Sequence, residues 1–174
     1  MKEKANKLDL VMKYKMHTKA VNYIEKESDE YFFSCSDDGT VIRWKMTSSA
    51  LSFEFAFKLL KKFSMKYQII KGHTDRVTQV LRLDRNLFCS CSDDKTIRFY
   101  RTSNDKEPEF INELKADDMI GNFISMLQFD NNLLVTASSD NKLRFWIYET
   151  KTYLKEKTIE KVECSGVDCM GRVF

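Results

Sequence analysis

The 174-residue sequence has little charge of either sign to spare: 29 basic and 26 acidic residues leave a formal +3, and the two signs alternate along the chain. No one-signed field is available to hold a polyanion, which argues against nucleic acid as a partner. No apolar run approaches the roughly 20 residues that a spanning helix needs, and the opening MKEKANK leads into no long apolar h-region. Neither a membrane nor secretion is expected, and the cytoplasm or nucleus is the expected location. Cysteines number five, an odd count without the density of a disulfide-stapled scaffold, and this points to a reducing compartment. Cys89 and Cys91 form a C-x-C, and Cys164 and Cys169 a C-x4-C, but a metal site of this kind needs partners on turns that converge on one point. They read as small core residues. Histidines are only two, His17 and His73, so any imidazole chemistry would have to spend one of these. What the chain does have is 43% apolar and 13% aromatic residues, enough to pack a core of about one domain.

The organising feature is an internal repeat. Ser34-Cys35-Ser36-Asp37-Asp38-Gly39-Thr40-Val41-Ile42-Arg43-Trp44 returns as Ser90-Cys91-Ser92-Asp93-Asp94-Lys95-Thr96-Ile97-Arg98-Phe99-Tyr100. It returns again as Thr136-Ala137-Ser138-Ser139-Asp140-Asn141-Lys142-Leu143-Arg144-Phe145-Trp146. The aromatic ends are 56 and 46 residues apart, so the first interval carries a surplus. Upstream, His17 and His73 each stand 21 residues before the Asp of the turn. Between them run period-two segments such as Val77-Thr78-Gln79-Val80-Leu81-Arg82-Leu83, a polar turn, and Leu87-Phe88-Cys89. The third copy, starting at Ile124, follows the same plan one residue shorter. Each unit therefore reads as strand, turn, strand, tight turn and third strand, with a fourth in Tyr67–Ile70 or Glu109–Leu114. Four antiparallel strands per 40 to 50 residues, stacked radially, make the blades of a propeller.

Gly72-His73, the Ser-x-x-x-Asp turn and the terminal Trp make the chain resemble the WD-repeat family. The resemblance implies an all-β, partial β-propeller of about three and a half four-stranded antiparallel blades, in a ring that this chain alone does not close. Blade one would span about 17–71, blade two 73–115, blade three 117–160 and a partial blade four 162–174, with 8–15 as the outer strand of a missing last blade. In that family a His, a Ser or Thr, an Asp and a Trp form a hydrogen-bonded chain in each blade. This maps onto His17, Ser34, Asp38 and Trp44, and onto His73, Ser90 and Asp94 with Tyr100 in the Trp place. The third blade keeps Thr136, Asp140 and Trp146 without a histidine. The dipeptide that names the family is missing, since Lys45, Arg101 and Ile147 follow the three aromatic residues.

An Asp, a His and a Ser could also be a hydrolase triad, but a triad is one constellation, whereas this set recurs with the fold. Asp37-Asp38 and Asp93-Asp94 likewise read as turn chemistry, capping backbone amides, and not as metal ligands. No catalytic residue, metal or cofactor is expected. In the family, partner contacts fall beside the repeat's Asp and around its first-strand Val. By resemblance these positions are Ala20, Asn22 and Asp37; Arg76, Thr78 and Asp93; and Phe123, Ser125 and Ser139. Arg76 and Phe123 lead the set because Arg and aromatic residues dominate interface hot spots.

The implied function is a non-catalytic protein-protein interaction scaffold belonging to a larger propeller protein. The alternative is a targeting propeller of an enzyme or ubiquitin-ligase complex whose catalytic part lies elsewhere. The surplus at about 46–65 alternates from Leu51 to Leu59, either as a docking hairpin or as a lengthened outer strand and loop. Its Lys58, Lys61, Lys62 and Lys66 could touch an acidic partner or simply protect a sheet edge. Aligning Val167–Phe174 with Leu81–Phe88 stops the chain inside a strand, and open sheet edges lead to the expectation that the isolated chain self-associates.

Overall fold

The computed structural model describes residues 13–47, 64–104, 106–116 and 121–148, together with the backbone of 161–168. Among these residues there are twelve strands and no helix. The strands fall into three four-stranded antiparallel sheets, which meander in chain order as the repeat predicts. Sheet one holds β1 Val21–Lys26, β2 Tyr31–Ser36, β3 Val41–Thr47 and β4 Ser64–Ile70. Sheet two holds β5 Val77–Asp84, β6 Leu87–Ser92, β7 Thr96–Arg101 and β8 Glu109–Lys115. Sheet three holds β9 Phe123–Asp130, β10 Leu133–Ser138, β11 Lys142–Tyr148 and β12 Lys161–Asp168.

Small differences at equivalent positions show why these sequences make these turns. The turn between the second and third strands needs a left-handed residue, which is Gly39 (φ 78°) in blade one, Lys95 (φ 67°) in blade two and Asn141 (φ 64°) in blade three. Glycine takes that conformation without a steric penalty, asparagine tolerates it and lysine pays for it. Near the start of each first strand the register slips, at Asn22, Thr78 and Ile124, where the partner strand has no opposing residue. Such bulges re-aim a side chain out of the ladder.

The core lies between sheets. Phe33, Cys35, Val41 and Ile70 of blade one meet Val77, Val80, Phe88 and Tyr100 of blade two, with the Phe33 and Phe88 rings stacked at 4.3 Å. On the other side of blade two, Leu83, Leu87, Cys89 and Phe99 meet Phe123, Met126, Leu134, Trp146 and Tyr148 of blade three. Each such large side chain contributes about 1.5–3 kcal/mol when fully buried. Polar clamps fix the spacing. The Gln79 side-chain amide donates to the Met126 carbonyl (2.9 Å) and accepts from the Met126 amide (2.7 Å), extending a peptide-like ladder from blade two to blade three. Asn22 Nδ2 donates to the Val77 carbonyl (2.8 Å) across the first junction. At the same junction a buried Arg43–Glu27 pair (2.7 and 2.8 Å) also reaches the Ser103 carbonyl (3.0 Å).

One boundary differs from the sequence reading. Residues 161–168 do not open a fourth blade, because β12 pairs antiparallel with β11, Lys142 opposite Asp168 and Tyr148 opposite Lys161. They complete blade three, which therefore runs past 160. The alignment of Val167 onwards with Leu81 onwards matched one apolar strand to another of a different rank, since a bare strand carries no mark of its place in the blade. Of the strand expected at 8–15, residues 8–12 lie outside the described residues and 13–15 are not in a strand; the alternating stretch Leu51–Leu59 with Lys58, Lys61 and Lys62, and residues 169–174, lie outside the described residues.

Candidate functional site

In blade one the turn Asp38 gathers the polar network. His17 Nδ1 bonds Asp38 Oδ2 (3.0 Å), its Nε2 meets Ser34 Oγ (2.8 Å), and Trp44 Nε1 donates to the same Oγ (2.8 Å). With Nδ1 protonated, the chain of donors runs Trp44 to Ser34 to His17 to Asp38, and every member is satisfied. The other Asp38 oxygen accepts from the Thr40 hydroxyl (2.5 Å) and amide (3.0 Å), while the Thr18 amide also donates to Oδ2 (2.9 Å). Burial disfavours the charged carboxylate, but the bonds from Thr40, Thr18 and His17 outweigh it and hold the group down at about 2.

Blade two repeats this geometry: His73 Nδ1 to Asp94 Oδ2 (2.8 Å), His73 Nε2 to Ser90 Oγ (2.8 Å), and Thr96 and Thr74 on the carboxylate. The Tyr100 hydroxyl takes the Trp place, bonded to Ser90 and Arg98. Against burial, the same kinds of bonds hold Asp94 well below the usual carboxylate range.

Blade three solves the problem differently. Trp146 Nε1 still donates to Thr136 Oγ1 (2.9 Å), but Asp140 is held by Arg144, Nη2 to Oδ2 at 2.7 Å. Arg144 Nη1 also donates to Ser138 Oγ (2.7 Å), which in turn donates to Asp140 Oδ1. The guanidinium bond holds the Asp140 carboxyl far below its ordinary value, chiefly through its direct contact. Arg144 was not among the residues singled out from the sequence. The missing histidine and an arginine two residues before Trp146 were the available signal.

The hydrogen-bond order Ser–His–Asp in blades one and two is that of a hydrolase triad, but access differs. Ser34 and Ser90 are buried, and Ser34 Oγ already receives the Trp44 proton. Both imidazole side chains are almost wholly enclosed. Cys35, Cys89 and Cys91 are free and buried; burial pushes the Cys35 thiol up to about 12 and Cys91 to about 11, away from the reactive thiolate. Among the described residues, no group of three His, Cys, Asp or Glu side chains has the arrangement of a metal site.

Of the residues expected to meet partners, Asn22, Asp37, Arg76 and Asp93 lie together at the blade one–blade two junction. Arg76 Nε bonds Asp93 Oδ2 (2.8 Å) and lies 3.8 Å from Asp37 Oδ1, so it bridges the two blades. Asn22 Nδ2 donates to Asp37 Oδ1 (2.8 Å). The carbonyls of Ala20 and Arg76 accept from the amides of Asp37 and Asp93, placing both turns against their first strands. Asp93 is the tensest member: its side chain is 10% exposed, and Oδ1 is buried without a hydrogen bond. Desolvation raises its pKa against the pull of Arg76, and Asp75 and Asp37 add to the rise. Thr78 turns inward, its hydroxyl donating to the Cys91 carbonyl (3.3 Å).

In blade three the expected set is displaced by one residue. Phe123, chosen as an exposed anchor, is 1% exposed and part of the core. Its Cα partner is Ser138, as Val77 pairs Ser92 and Val21 pairs Ser36, so Phe123 itself occupies the Val position. The flanking residues are Asn122, whose carbonyl accepts from the Ser139 amide (2.9 Å), and the exposed Ile124. Ser125 is exposed but points its hydroxyl at Gln79 Oε1 (3.2 Å) in the junction with blade two. Ser139 is exposed and accepts from the Asn122 amide (2.8 Å). A slip of one residue exchanges the two faces of a strand.

These sheets and networks are those of a partial β-propeller, and the comparisons agree. The chain matches the WD domain, G-beta repeat (WD40) family at residues 8–45, 64–101 and 120–146, more than half its length, and it belongs to that family. It is also similar to Elongator complex protein 2 of Dictyostelium discoideum, 33% identical over 72 residues. That match takes up 39% of this chain and 7% of the Elongator protein, so the chain corresponds to only a small part of that relative's length. Among the described residues, no helix is long and apolar enough to cross a membrane.

Proposed function

We propose that this chain is a non-catalytic scaffold whose partner lies on the face formed by Asn22, Asp37, Arg76 and Asp93, and that the partner contributes a basic side chain. The observation that carries this reading is the half-satisfied Asp93. One carboxylate oxygen bonds Arg76 while the other is buried with no donor, and two further aspartates stand close enough to raise its pKa. A buried acceptor left unmade costs about 1–3 kcal/mol. A lysine or arginine lodged beside the half-exposed Arg76 meets the partly exposed Asp37 carboxylate and offsets the acidic excess of Asp37, Asp75 and Asp93. Exposed Ile124 extends the same row of bulge positions onto blade three and offers an apolar contact.

A scaffold role, as opposed to catalysis, is supported by the condition of the only two imidazoles. Both are enclosed and committed to the turn aspartates, and the serines beside them cannot be reached from solvent. The near-balanced charge supports a protein partner over nucleic acid. The test compares proteins captured by the wild-type chain with those captured by Asp37→Asn, Asp93→Asn and Arg76→Ala. Interactors held by the face are expected to lose binding about tenfold or more in the Asp variants, as removing a charge-assisted bond costs about 1.5–3 kcal/mol, with melting temperatures unchanged. Partners retained by all three folded variants would refute the assignment.

A further inference from the structure

Each blade has a leading face, toward the preceding blade, and a trailing face, toward the next. The leading face of blade three is buried through Phe123, Met126 and Leu134. Blade one carries Val21, Ile24 and Phe32 at the same three positions. All three are apolar, yet Val21 is 52% and Ile24 64% exposed, and together with Tyr14, Trp44 and Met65 they line a groove of about 420 Å³. The trailing face of blade two is buried through Leu83, Leu87 and Phe99. Blade three has Phe129, Leu133 and Phe145 at these positions, and Phe129 is 73% exposed where Leu83 is 8%. The trailing face of blade one is different in kind, with the Glu27–Arg43 ion pair where blades two and three have Leu83 with Phe99 and Phe129 with Phe145. The two open faces of the array therefore have, position by position, the chemistry of the two faces that meet at the blade two–blade three junction.

We infer that a second copy of this chain covers both open faces, with blade three of one copy docking on blade one of the other, twice, to close a six-bladed ring. Three described blades per copy give six, inside the range of 4 to 8 that propellers adopt. A head-to-tail contact whose rotation closes makes a ring instead of a filament. Exposed apolar faces of this kind mark association surfaces, and here the internal junction shows what shape and chemistry fit them. The contact is face to face, as between blades, and not the edge-to-edge pairing that an unpaired strand would offer.

Sedimentation of the chain at micromolar concentration is expected to give twice its 20.5 kDa mass and no larger species as concentration rises. A monomer throughout, as follows if other blades or another protein cover these faces, overturns the inference. So does a mass that keeps growing beyond two. Ile24→Asp, at an exposed position, is expected to give a monomer. An independent check does not depend on that variant folding. Cys89 Sγ lies 3.7 Å from Met126 Sδ across the internal junction, and Val135 and Ile24 are the equivalent pair between copies. The double variant Val135→Cys with Ile24→Cys is expected to form covalent dimers on mild oxidation. Either single variant and the wild-type chain are expected not to. No dimer, or equal dimer from a single variant, sinks the ring.

Discussion

Blades two and three fold the same turn with different chemistry. In blade two an imidazole spans 2.8 Å contacts to Ser90 and Asp94, and its ring comes from a segment outside the sheet, before β5. In blade three the guanidinium of Arg144 reaches Asp140 and Ser138 from within β11, on the same sheet. What the fold requires is an oriented donor on the turn aspartate. The residue type that supplies it is free to change as long as no buried polar atom is left alone. The difference also changes the stakes, because an arginine stays charged when its partner is lost and a histidine can be neutral.

The largest expected effect breaks the comparison at its charged end. Asp140→Ala leaves the Arg144 guanidinium buried without its counter-charge and is expected to destabilise by about 3–5 kcal/mol, read from denaturant midpoints. His73→Ala should cost less, about 2–3 kcal/mol, from a cavity and unmet bonds on Ser90 and Asp94. If it costs more than Asp140→Ala, the ranking of the two solutions is wrong. Next comes pH. Asp38 has a folded pKa of about 2 against an ordinary 3.8, and a depressed carboxyl contributes stability that is present above its unfolded pKa and lost as pH falls through the folded one. Melting temperature should therefore drop between about pH 4 and pH 2, and Asp38→Asn, less stable at neutral pH, should show a shallower drop. Asp94 and Asp140, depressed in the same direction, extend the loss to lower pH. The smallest effect is a gain. Lys95→Gly relieves a left-handed lysine (φ 67°) and should stabilise by about 1 kcal/mol, whereas Asn141→Gly should change less because asparagine tolerates that conformation.

Much of this was legible in the chain because the repeat compares the sequence with itself. The spacing of His17 and His73 from their aspartates, the aromatic ends, and the alternation of β5 located three strands per blade and the tetrads of blades one and two. Phe123 shows the limit. An aromatic residue at the start of a strand reads equally as a core residue or as an exposed anchor, and only the Ser138 register, with its bulge at Ile124, decides between them. The rank of β12 was illegible for a similar reason, since an apolar strand can begin a blade or end one. Gln79 reads as an ordinary polar residue of an alternating strand, and its role as a clamp depends on a neighbour 47 residues away.

The sequence by itself determined the blade: its strand count, its tight turns, the burial of Cys35, Cys89 and Cys91 and the commitment of both imidazoles, since these follow from contacts within one repeat and recur with it. The tertiary structure decided what lies between blades: which carboxylate at the first junction is left short of a donor, and which apolar side chains among the described residues stay exposed. Those outcomes depend on distances between chemically ordinary side chains far apart in the chain, and periodicity carries no information about them.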